Sequence, residues 1–127
     1  MHPTRKRTWV AKFRDAFRGV REGVSEQHSF AAHFTIAALV LAAAGLLRID
    51  SLTEWAILIL CITVVLTAEM FNSSLESLAL AITDETHPHI RDALDIGSAA
   101  VLLAAIGSAV IGILILGNRL AMLLQCW

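Results

Sequence analysis

Three residues carry the most evident potential for chemistry in this chain: Glu69, Asn72 and Glu76. They stand at i, i+3 and i+7, which places all three on one face of a single helix. The residues before them, 55–67, include no charged side chain. A carboxylate set at membrane depth costs about 2.5–3.5 kcal/mol on insertion scales, so its presence points to function. Depth separates the two acids. With Trp55 at an interface and a rise of about 1.5 Å per residue, Glu69 lies roughly 21 Å and Glu76 roughly 32 Å further along. A hydrocarbon core is about 30 Å thick. Glu69 is therefore expected inside one leaflet, where a proton acceptor meets membrane substrates, and Glu76 at the aqueous boundary. One helix face would then join a lipid-accessible depth to a water-accessible one.

Positioning such a face takes membrane helices. The 127 residues allow one domain, and 57% of them are hydrophobic, too many for an ordinary soluble domain of this size. Three apolar segments account for the excess, with spans expected at about 30–47, 55–82 and 94–118. The last includes 23 consecutive uncharged residues, 96–118, enough to cross a bilayer. The chain reads as an all-α membrane protein, a single domain over residues 1–127, with no tract that resembles a cleavable signal peptide.

The segment before the first span is an amphipathic helix candidate at about 9–24. Trp9, Phe13, Phe17, Val20 and Val24 share one face, and Lys12, Arg14, Arg18 and Arg21 cover the other. Such a helix is expected to lie in the membrane interface. Residues 1–26 hold seven of the ten Lys and Arg and carry a net charge of +4. That basic flank predicts a cytoplasmic N-terminus. Charges beside a span also argue against a nucleic-acid partner. Cys61 and Cys126 are read as small apolar residues. His87 and His89 with Asp84 have no specific metal spacing. Pro88 predicts a break, and Asp92 a cap near the start of the third span. Ala100, Ala104, Ser108 and Gly112 form a small-residue stripe suited to close helix packing. Three short spans are not expected to enclose Glu69 alone, so an oligomer is the economical way to shield it.

These residues together resemble the prokaryotic integral-membrane diacylglycerol kinases, a family that includes undecaprenol kinases. The family pattern E-x-x-N-[ST]-[AS]-[IL]-E is matched by Glu69, Asn72, Ser73, Ser74, Leu75 and Glu76. The His-Pro pair of its loop is matched by His87 and Pro88. Its third-span opening is matched by Asp95, Ser98, Ala99, Ala100 and Val101, with no gap from Glu76 to Asp95. Ala16–Gly19, Phe30 and His33 extend the likeness upstream, and together it covers residues 10–118.

The resemblance implies a homotrimer of three-span subunits that transfers the ATP γ-phosphate to the hydroxyl of diacylglycerol or a similar lipid alcohol, using Mg²⁺. It implies Glu69 as general base, Asn72, Glu76 and Asp95 as nucleotide-site residues, and Glu76 as a metal ligand. The chain departs from the pattern at three places. Leu94 stands where the family has lysine, Leu80 where it has aspartate, and Gln27 where it has an N-terminal metal-binding glutamate. Ser29 replaces a neighbouring asparagine. Glu26 is taken as a metal ligand in place of the lost carboxylate, with Glu22, Asp84 and Arg91 as other candidate substitutes for the missing charges. Undecaprenol kinase activity is an alternative. A catalytically inactive membrane scaffold of the same fold is another, favoured by Gln27, Leu80 and Leu94.

Overall fold

The computed structural model describes residues 8–26 and 28–125. Four helices follow in order: α1 Trp9–Glu26, α2 His28–Leu46, α3 Leu52–Ile82 and α4 Pro88–Gln125. The last three, of 19, 31 and 38 residues, are long and apolar enough to cross a membrane. Helix α1 leads into them as the shorter amphipathic element.

Helix α1 starts where Thr8 Oγ1 accepts from the Ala11 N–H at 3.3 Å, an N-cap. Its apolar face stays uncovered by the described chain: Trp9 is 73% exposed, Phe13 62% and Phe17 75%. Lys12 Nζ lies 4.6 Å over the Trp9 ring. An aromatic stripe left bare beside cations is what a headgroup layer covers. The helix leans on α3 at one close approach. A Cβ on Gly23 would meet Met70 Sδ at 2.8 Å, so a larger residue there would oblige the end of the Met70 side chain to shift.

Helix α2 ends in a Schellman turn. Arg48 takes the left-handed position at φ 53°, its N–H donates to Gly45 O, and the Ile49 N–H reaches back to Ala44 O at 3.1 Å. Ala44 and Ile49 then pack with Leu58 in one buried cluster. Helix α3 begins three residues before Trp55 because Ser51 and Glu54 form the S-x-x-E start. Ser51 Oγ accepts from the Glu54 N–H at 3.3 Å. Trp55 Nε1–H donates to Ile49 O at 3.0 Å, tying the turn to α3.

Helix α4 clamps the same end. Arg119 Nε donates to Leu47 O at 3.0 Å, and Nη2 donates to Arg48 O. These are carbonyls that the end of α2 leaves without intrahelical partners. The Arg119–Asp50 pair at 3.8 Å adds little, since the Asp50 side chain is 84% exposed. Arg119→Met is expected to lower unfolding free energy by about 1.5–3 kcal/mol, the range for charged hydrogen bonds. Denaturant titration in detergent measures it, and an unchanged midpoint would refute the clamp.

Two expectations need correction. Helix α4 opens at Pro88 rather than near 94. Proline suits the first helical position, and His87 caps it, Nδ1 accepting from the His89 N–H at 3.2 Å. Asp92 therefore lies in the second turn and caps nothing. The small-residue stripe serves the chain's own packing in part. Ser108 Oγ donates to Cys61 O on α3 at 3.2 Å, and Gly112 is buried.

Candidate active site

Glu69 sits on the buried face of α3 and is only 3% exposed. A single chain thus shields it, contrary to the expectation that several subunits are needed. The shielding comes from α2. Ser29 Oγ donates to Glu69 Oε1, and His33 Nε2 stands 3.7 Å from Oε2. Ser29 and His33 are four residues apart, on the same side of α2. They hold the carboxylate from across the helix interface. The carboxylate's desolvation is thereby partly offset by polar contacts.

One turn further along α3, Asn72 Nδ2 donates to Glu76 Oε1 at 3.0 Å. The three residues of the sequence motif therefore share a face, and Asn72 orients Glu76. Asn72 is buried and its Oδ1 has no hydrogen-bond partner among the described residues. That oxygen points at α4. A Cβ placed on Gly97 would lie 2.6 Å from it and 3.1 Å from Leu75 Cδ1. Gly97 is thus the point where α4 closes on the site.

A cleft of about 550 Å³ opens along this face, lined by His28, Ser29 and His33 of α2, Glu69, Asn72 and Glu76 of α3, and Ser98 and Val101 of α4. His33 also lines a second, apolar groove of about 710 Å³, which runs between α2, α3 and α4 as far as Leu47 and Leu120. Polar cleft and membrane-depth groove meet at one residue.

The remaining site residues separate from this group. Asp95 is exposed on α4 and outside the cleft lining, one turn before Ser98. The side chain of Glu26 and all of Gln27 lie outside the described residues. Leu80 is 77% exposed, and Leu94 is half-buried. Sequence reading attached no role to Gly97. It placed His33 in the upstream family likeness and took Ser29 for a departure. Their i, i+4 spacing puts them on one face of α2, but the sequence does not say that this face meets α3.

A three-span helical membrane protein with a buried carboxylate–carboxamide face, open to water at one end and to an apolar groove at the other, is suited to reactions on lipids. The model of the prokaryotic diacylglycerol kinase family matches residues 14–116, and the chain belongs to that family. It is 32% identical to a diacylglycerol kinase of Synechocystis, over 87% of this chain and 66% of that protein. It is also 32% identical to an undecaprenol kinase of Bacillus subtilis, over 90% of this chain and 92% of the relative. The chain is a multi-pass bacterial membrane protein of the lipid kinase class, a phosphotransferase.

Proposed function

We propose that this chain transfers the γ-phosphate of ATP to the hydroxyl of a membrane lipid alcohol, diacylglycerol or undecaprenol. One observation carries the reading: the Glu69–Asn72–Glu76 face lines a polar cleft that shares His33 with a long apolar groove. A lipid lying along the groove brings its hydroxyl to Glu69. The nucleotide approaches from the half-buried Glu76 end.

The residues fit Mg²⁺. Magnesium is usually held by one or two carboxylates plus substrate phosphates, so a full protein cage is not required. Glu76 supplies a hard carboxylate. Asn72 holds that carboxylate in place through its Nδ2–H. When bound, Mg²⁺ neutralises charge on the β- and γ-phosphates. Glu69 takes the hydroxyl proton as the lipid oxygen bonds to the γ-phosphorus and the bond to the β-bridging oxygen breaks. Ser29 and His33 keep Glu69 aimed. Phosphoryl transfer demands positioning and charge stabilisation more than covalent help, and this arrangement supplies both.

The test is transfer of label from γ-labelled ATP to a panel of lipid alcohols by protein in lipid discs. Label in diacylglycerol or undecaprenol, dependent on Mg²⁺, supports the reading. No label in any lipid would favour the inactive scaffold that Gln27, Leu80 and Leu94 motivate.

The basic α1 segment supports a cytoplasmic N-terminus, with the 83–87 loop on the same side. Asp50 is well exposed, so Asp50→Cys should react with an impermeant thiol reagent added outside the cell. Labelling only from the cytoplasmic side would reverse the topology. The homotrimer is proposed on the family resemblance alone, since Glu69 is buried within one chain.

A further inference from the structure

The hydrogen-bond donors of the cleft are few and mostly committed. Glu69 and Glu76 only accept when ionised. Asn72 Nδ2 gives one of its N–H groups to Glu76, Ser29 Oγ donates to Glu69, and His33 Nε2 faces Glu69. Among the described residues, neither lysine nor arginine lines the cleft. Leu94, directly before Asp95, offers no donor, and Arg91 stands exposed beside Asp92 at 4.0 Å. Yet a phosphoryl group in transfer spreads negative charge over three non-bridging oxygens, and enzymes place donors against that charge. Two donors in the lining have no hydrogen-bond partner among the described residues: His28, the first residue of α2, and Ser98 of α4.

We propose that His28 donates an imidazole N–H to a non-bridging oxygen of the transferring phosphoryl group, with Ser98 Oγ as a second donor from α4. The assignment rests on the kinase reading above. His28 is exposed and lines the same cleft as Glu76, so it meets the water-soluble substrate rather than the lipid. A neutral imidazole keeps one N–H and a protonated one two, so the contact survives either state. His28 gives up no proton in the step: the hydroxyl proton goes to Glu69 and ADP carries away the bridging oxygen.

His28→Ala, His28→Gln and His28→Lys in lipid discs test this, read by phosphate transfer and by affinity for ADP and for a non-hydrolysable ATP analogue. His28→Ala is expected to lower kcat/KM about 10- to 100-fold, the worth of a hydrogen bond to a charged group. It should weaken the ATP analogue and leave ADP binding unchanged, which also shows that the variant is folded. Gln and Lys each keep an N–H donor and should recover most of the loss. Parent-like kinetics in His28→Ala would overturn the assignment. So would equal loss of ADP and analogue affinity, or Gln and Lys variants no better than Ala. A parent protein that phosphorylates no lipid alcohol overturns the kinase reading instead. The comparison of ADP with the analogue then still decides His28.

Discussion

Glu69→Gln is expected to lower kcat for lipid phosphorylation by about 10² to 10⁴-fold, the range that general-base catalysis supplies. The substitution is nearly isosteric. Its amide oxygen still accepts from Ser29 Oγ, the contact that ties α2 to α3 at this point. The loss then reports the missing base rather than a collapsed site. His33 Nε2 stands 3.7 Å from the carboxylate and orients it from α2. Steady-state transfer with saturating ATP and lipid measures the effect. An unimpaired Glu69→Gln variant would remove Glu69 from the chemistry while leaving the family assignment intact.

Gly97→Ala should lower turnover by about 10²-fold, the cost of roughly 1 Å of misplacement in a reacting group. Two effects oppose each other. Alanine is the better helix former by about 1 kcal/mol in the interior of α4. Its Cβ, however, would lie 2.6 Å from Asn72 Oδ1, which must then move, and 3.1 Å from Leu75 Cδ1, which must give slightly. The colliding oxygen ends a rotatable side chain, so the carboxamide turns aside instead of the helices separating. Turning breaks its 3.0 Å bond to Glu76. Activity should therefore fall far more than stability does. Transfer assays beside thermal unfolding separate the two, and a fully active Gly97→Ala enzyme would show that Asn72 does not orient Glu76.

The chain's membrane character and the shared face of Glu69, Asn72 and Glu76 were legible because helical periodicity and charge-free runs are local properties. Some missed details were local as well. Ser51 and Glu54 spell a capping box three residues before Trp55, and Pro88 suits a first helical position better than a break. The expectation that three short spans would not enclose Glu69 alone failed for a different reason. Its partners, Ser29 and His33, lie about forty residues upstream, and nothing in the periodicity of α2 states which of its faces meets α3. Gly97 is similar. A glycine in a run of small residues reads as generic membrane packing, and its role appears only when Asn72 Oδ1 is seen against it. Asp95, grouped with the site by motif spacing, stands exposed and a turn away from the cleft because α4 presents Ser98 and Val101 to it.

The central claim is a division of labour along α3, with the nucleotide at Glu76 and the lipid hydroxyl at Glu69. Affinity for a non-hydrolysable ATP analogue with Mg²⁺, measured on Glu76→Gln and Glu69→Gln in lipid discs, tests it most directly. Glu76→Gln should bind roughly tenfold or more weakly, a loss of about 1.4 kcal/mol. Glu69→Gln should bind like the parent while its transfer rate falls. Parent-like binding by Glu76→Gln, or equal losses in the two variants, would contradict the division.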